Sequence, residues 1–201
     1  MGQATLDGLT ERTTGEAHGR EENRARIVSA ARRVFAQAGY EAGVHEICRV
    51  AGVGIGTFYH QFVNKAELMH FLIDQEHSFR VEAFDALGPE QADATAGEVV
   101  RVIAGSDPAL LQAMIEACGI DAQLRTVARE LRRETGARLA AAFDRVRKAR
   151  GVHSPALDST TAASAALALG DTAFGRTSAA DVERIVNILA FAEANGPSLR
   201  A

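Results

Sequence analysis

The chain has 201 residues, 47% of them apolar, and a formal net charge of −4. That is enough for one large domain, or a small one joined to a larger one, around a sizeable core. No run reaches the roughly 18 apolar residues a membrane span needs, and the first residues lack the apolar stretch of a secretory signal. A cytoplasmic protein without a membrane partner is therefore expected. Cys48 and Cys118 lie far apart in apolar helical contexts, as reduced, buried thiols would.

Residues 1–22 are polar, rich in Gly and Thr, and without periodicity, so a flexible tail is expected. Asn23 then offers an N-cap, with Ile27, Ala31, Val34, Phe35 and Ala38 at helical spacing and Gly39 as the stop. Two short helical patterns follow, joined by a turn at Gly52. Asn64 caps a longer helix, with Glu67 in capping-box position. Leu68, Phe71, Leu72, Gln75 and Phe79 form its inner side, and it runs to about Ala86. After a connection at Gly88 and Pro89, Thr95–Ala104 reads as a weak helix. Asp107 caps the next, with Pro108 at its first position. Gln123–Arg150 carries a stripe of Leu124, Val127, Leu131, Thr135, Leu139, Ala142, Phe143 and Val146, ended by Gly151. Asp158–Phe174 is Ala-rich, and Asp181 caps a last helix. No stretch alternates with period two over enough residues to require a strand. The fold class is all-α, with nine helices.

Residues 43–65, GVHEICRVAGVGIGTFYHQFVNK, are the most informative stretch. Val44, Ile47, Cys48, Ala51, Val53, Phe58 and Phe62 are placed inward. His45, Arg49, Ile55, Thr57, Tyr59, His60, Gln61 and Lys65 are left outward. A short helix offering hydroxyls, amides and a few cations but almost no carboxylates suits a polyanion. This is the pattern of a helix-turn-helix whose second helix enters a DNA major groove. The charge distribution agrees. Arg24 to Lys65 holds six basic residues against Glu41 and Glu46, a net +4, whereas Ala66 onward holds 14 basic and 19 acidic residues, a net −5. The expected organisation is a tail (1–22), a helix-turn-helix domain (23–66) and an acidic helical domain (67–201).

Gly39-Tyr40, EIC at 46–48, AGVGIGTFYHQF at 51–62 and NKAEL at 64–68 resemble the N-terminal signature of the tetracycline-repressor (TetR/AcrR) family of transcriptional regulators. The likeness covers roughly residues 24–70; the rest matches in helix number and order. It implies a homodimer with no enzymatic activity. Three N-terminal helices would bind a double-stranded DNA operator, and about six more would form the pocket for a small-molecule effector and the dimer contact. An effector-independent regulator of the same fold is the alternative. Gly43 and Gly54 stand where the family usually places a hydroxyl residue as N-cap. Glycine caps almost as well, so each change costs only a few tenths of a kcal/mol.

By this resemblance Lys65, at a helix N-terminus, grips phosphate, although a solvated lysine fits the pattern too. Tyr59 offers a hydroxyl to phosphate or belongs to the core. Thr57 meets phosphate or a thymine methyl, and Gly56 allows close backbone approach. Ile55 and Gln61 match positions that read bases, through a thymine methyl and an adenine edge respectively. His45 reaches a base or phosphate or is simply surface, and His60 faces backbone or solvent. Arg24 and Arg26 add phosphate contacts or are solvated.

The spacing of Gly52, Gly54 and Gly56 is wrong for a dinucleotide loop and follows no strand, so no cofactor is expected. His70, Asp74 and His77 share one helical face but offer no fourth ligand, and no metal is expected. Phe79, Phe84, Met114, Cys118, Leu131, Phe143 and Phe174 are candidate pocket residues, each also suited to plain core. Ala162, Ala165, Ala166 and Leu169, with Val182, Ile185 and Leu189, suggest two helices packing on their copies across a two-fold axis. In-chain core is the competing reading.

Overall fold

The computed structural model describes residues 3–91, 95–105, 107–173 and 179–193. Among these the regular elements are helical: α1 (Gln3–Ala38), α2 (Val44–Ala51), α3 (Ile55–Gln61), α4 (Lys65–Asp85), α5 (Thr95–Ala104), α6 (Pro108–Ile120), α7 (Ala122–Arg150), α8 (Ser159–Ala173) and α9 (Ala179–Phe191), with a 3₁₀ turn at Pro89–Gln91. The sole extended pairing among them is an isolated bridge between Pro155 and Glu193. No helix is long and apolar enough to cross a membrane among the described residues.

The helix ends follow from local chemistry. Gly39, Gly52 and Gly151 take positive φ at the ends of α1, α2 and α7. After α2, Gly52 N–H donates to Arg49 O and Val53 N–H to Cys48 O, the paired contacts of a Schellman ending. Gly151 and Val152 repeat the arrangement on Lys148 O and Arg147 O. At the start of α4, Glu67 N–H donates to Asn64 Oδ1 at 2.8 Å. The Glu67 carboxylate reaches back to Val63 N–H, one residue earlier than the usual capping box. Asp121 Oδ1 accepts from Gln123 N–H and Leu124 N–H, so it caps α7 and starts it one residue before the sequence reading. Asp158 accepts from Thr161 N–H and Thr161 Oγ1 to cap α8.

Two starts differ from expectation. α1 begins at Gln3, so residues expected as a tail up to 22 are helical from there. No proline interrupts that stretch, and single glycines weaken a helix by about 1 kcal/mol without ending it. α9 begins at Ala179, which puts Asp181 inside the first turn, 3.6 Å from Arg184, instead of at the cap.

The chain forms two compact units, and the division falls elsewhere than residue 66. The first comprises the residues up to Leu72 together with Ala109–Leu124; the second comprises Ile73–Pro108 and the residues from Arg125 onward. The first turns of α4 belong to the first unit because Leu68, Met69 and Leu72 are fully buried. They join a core of Ile27, Ala31, Phe35, Ile47, Phe58 and Phe62. Helix α6 belongs there as well: Tyr40 N–H donates to Glu116 Oε2 at 3.2 Å. In the second unit α5, α7, α8 and α9 close around Phe84, Val99, Ile103, Leu139, Phe143, Ala162, Ala166, Val182 and Val186. Arg145 of α7 donates to Phe84 O and Leu87 O at the end of α4. The buried Arg147 donates to Ala190 O and Leu189 O at the end of α9 and to Ser159 Oγ at the start of α8.

Candidate nucleic-acid interface

α2 and α3 are short and amphipathic, and the turn at Gly52 fixes the path between them. Burial of Ile47, Cys48 and Ala51 on α2 and Phe58 on α3 sets which faces remain outside. Burial also pushes the Cys48 thiol above its ordinary value, keeping it protonated. The outward residues of α3 are Ile55, Gly56, Tyr59 and His60, with Thr57 partly covered. Tyr59 is 56% exposed and braced edge-on against Phe58, with ring centroids 5.3 Å apart. His45 is exposed near the start of α2. Val63, just after α3, is 74% exposed, an apolar surface position that periodicity did not single out. Neither Gly43 nor Gly54 provides a side-chain cap, so first-turn N–H groups of both helices remain for another acceptor. Open space surrounds any Cβ built on Gly56, so nothing within the chain requires glycine there.

Glu46 is the carboxylate nearest this surface in sequence, and Arg49 engages it at 2.6 and 3.0 Å. That hydrogen bond holds the Glu46 carboxyl below its usual range. Arg49 and Glu46 thus offset each other's charge, and the outward face of α3 carries no carboxylate, guanidinium or ammonium.

Several of the candidate residues also make contacts within the chain. Gln61, expected to read a base, is half-buried and donates its amide to Arg20 O of α1 at 3.1 Å. Lys65, expected on phosphate, donates to Tyr40 O at 2.6 Å and Ala42 O at 3.3 Å, with its ammonium 4.2 Å from the Tyr40 ring centroid. Arg24 donates to Gln61 O at 3.1 Å, its guanidinium 4.4 Å and 4.5 Å from the Phe62 and Phe71 ring centroids. Arg26 donates to Gly52 O at 2.8 Å. The hydrogen-bond partners lie 23 to 41 positions away in the chain, too far for any local pattern to announce them.

The profile of the family described as bacterial regulatory proteins, tetR family, matches residues 27–71, the segment that carries this helix-turn-helix. Over those residues the chain is similar to the tetR family. Among its relatives, the HTH-type transcriptional regulator UidR of Escherichia coli is 36% identical over 61 residues, 29% of this chain and 31% of UidR. The HTH-type transcriptional regulator TtgR of Pseudomonas putida is 40% identical over 70 residues, 34% of this chain and 32% of TtgR. The matches thus span about a third of those relatives' length. Over the whole fold, GusR of Salmonella enterica superposes with a TM-score of 0.69 at 22% identity, covering 84% of this chain and 95% of GusR. A tetR-family regulatory protein from Rhodococcus gives 0.67 at 23%, covering 85% and 98%. At that identity the likeness establishes the all-helical tetR fold.

The other candidate residues distribute unevenly over this fold. Phe84 and Phe143 are sealed in the core of the second unit, and Phe79 is 51% exposed. Leu131 is half-buried. Met114 and Cys118 lie on α6 in the first unit, and Phe174 falls outside the described residues. Ala162, Ala166 and Val182 are buried in their own chain's core, and Leu189 packs against it. Only Ile185 of the expected contact face is exposed, while Ala165 and Leu169 are partly covered. The outward positions include Ser164 and Ala168 on α8 and, beside the charged Asp181, Glu183 and Arg184, Ile185 and Ile188 on α9. An Ala-rich helix presents similar surfaces on several sides, so periodicity did not distinguish its inner face. His77 is engaged by Thr135 Oγ1 at 2.9 Å and Glu134 Oε2 at 3.3 Å, contacts within the second unit that draw its ring to α7.

Proposed function

We infer that the protein is a homodimeric, sequence-specific DNA-binding transcriptional regulator acting in the cytoplasm, and a repressor. The observation that carries this reading is the exposed, carboxylate-free face of α3, with Ile55, Tyr59 and His60 outward, on a segment that matches the tetR family. An apolar residue can select a thymine methyl, and a tyrosine hydroxyl can take phosphate. Two copies related by a two-fold axis would bring two such helices to successive major grooves of a pseudo-palindromic operator. The exposed Ile185, Ile188 and Ala168 surface on α8 and α9 is the proposed meeting face, in place of the buried alanines.

A small apolar or amphipathic molecule in the second unit would release the operator by favouring a conformer with the wrong spacing of the two α3 helices. It must bind that conformer more tightly than the DNA-bound one. The closed packing around Phe84 and Phe143 favours a second reading, a regulator of the same fold without an effector. Gel shifts with DNA from the chain's own locus test the first step. A salt-sensitive complex on an inverted repeat is expected, and no such complex refutes the reading. Screening apolar compounds for release of that complex separates the two versions.

A further inference from the structure

We propose that Glu116 of α6 is a positioning residue for DNA binding, holding Tyr40 so that the Tyr40 carbonyl aims Lys65 at a phosphate; this rests on the DNA-binding reading above. Glu116 lies outside residues 27–71, the segment that matches the family, yet it belongs to the same compact unit. Its Oε2 accepts from Tyr40 N–H at 3.2 Å, and its Oε1 accepts from Gln112 Nε2 at 3.4 Å. The carboxylate lies directly against Gly39, where a Cβ would be 2.7 Å from Oε2. Helix α1 ends there, with Gly39 at φ +70 and its N–H on Phe35 O. The next N–H, that of Tyr40, turns to Glu116 for its acceptor.

The other side of the same residue meets Lys65. Its Nζ donates to Tyr40 O at 2.6 Å and to Ala42 O at 3.3 Å, with the Tyr40 ring centroid 4.2 Å away. An ammonium carries three N–H donors, so one remains for a phosphate at the start of α4, where the helix end itself favours an anion. Tyr40 is thus held at its N–H by a carboxylate and at its carbonyl by an ammonium. A carboxylate binds an N–H more strongly than a neutral acceptor does. Without it Tyr40 loses a fixed position, and Lys65 loses the aim of its third donor. Charge alone predicts the opposite outcome. Removing a carboxylate from a unit that meets a polyanion lowers repulsion and strengthens binding, whereas the positioning role predicts weaker binding.

The test uses the full chain and a consensus duplex that wild type selects from a random-sequence pool. Affinity is measured for wild type, Glu116→Gln, Glu116→Met and Glu116→Asp, and for Glu116→Met on a Lys65→Met background, at a temperature where circular dichroism shows each protein folded. Glutamine and methionine lose the same charge, but only glutamine keeps an acceptor at that reach. Glu116→Met is expected to bind about tenfold more weakly than wild type, and Glu116→Gln within about threefold of it. Glu116→Asp keeps the charge but falls one methylene short, and is expected to weaken binding as methionine does. On the Lys65→Met background the further loss from Glu116→Met should vanish. Wild-type or tighter binding by Glu116→Met overturns the proposal, because a purely structural or purely electrostatic role would give it. So does an equal loss in Glu116→Gln and Glu116→Met, or an undiminished loss on the Lys65→Met background. If Glu116→Met fails to fold, Glu116→Asp takes its place on both backgrounds, and wild-type affinity there overturns the proposal. Failure of wild type to select any consensus removes the DNA-binding reading together with this one, a result distinct from the others.

Discussion

Replacing Gly52 by alanine should damage the turn between α2 and α3. Gly52 has φ +65, and a Cβ there would lie 2.7 Å from Arg26 Nη2. Holding an L-residue in the left-handed region costs about 1–2 kcal/mol. Displacing Arg26 also forfeits its 2.8 Å hydrogen bond to Gly52 O, worth about 1 kcal/mol at an exposed site. The sum is about 2–3 kcal/mol. It is measured by urea unfolding at fixed protein concentration, because association alters apparent stability. On an Arg26→Met background the clash and the hydrogen bond are both gone, so Gly52→Ala should cost only the backbone share, about 1–2 kcal/mol. A cost below about 0.5 kcal/mol on the wild-type background would refute the left-handed constraint. An equal cost on both backgrounds would refute the role of Arg26.

Asn64→Ala removes the cap on Glu67 N–H and should cost about 1 kcal/mol in the same assay. Arg147→Met strips the buried contacts to Ala190 O, Leu189 O and Ser159 Oγ and should cost about 3 kcal/mol. Arg133→Met, which loses an exposed pair with Glu130, should be near neutral; similar losses in the two would contradict the burial argument. Burial first, then the charges of Asp121, Cys118 and Glu41, raises the Tyr40 phenol above its ordinary 10.0. Tyr40 therefore keeps its proton in the folded chain at pH values where the unfolded chain has lost it. Its contribution to stability is complete below pH 10 and is lost as pH rises through the higher folded value. Tyr40→Phe should flatten the alkaline fall in unfolding free energy above pH 10, and an unchanged fall would count against the shift.

The features legible in the sequence are those settled within one helical turn. Gly39, Gly52, Asn64, Asp107-Pro108 and Gly151 announced helix ends because each acts on backbone a few residues away. The inward placement of Ile47, Phe58 and Phe62 followed from periodicity, and Ile55, Tyr59 and His60 were left outward by the same count. What escaped depends on partners distant in sequence. Nothing near Arg24 announces that it lies against Phe62 and Phe71, and nothing in α6 announces that Glu116 meets Tyr40 76 positions earlier. The Ala-rich α8 misled because several of its sides are equally small and apolar, so Ala162 and Ala166 looked suited to a partner when their own chain covers them. Helix α1 extends N-terminal of its apolar stripe, from Gln3, where the residues have no periodicity to announce it.

The central claim is that the exposed face of α3 reads bases, and selecting a consensus from random-sequence duplexes with wild type and with Ile55→Ala tests it most directly. Truncating Ile55 should erase the preference at one base-pair position of each half-site, worth about 1–3 kcal/mol of discrimination there, while the other positions and the salt slope remain as in wild type. An unchanged consensus would contradict the account.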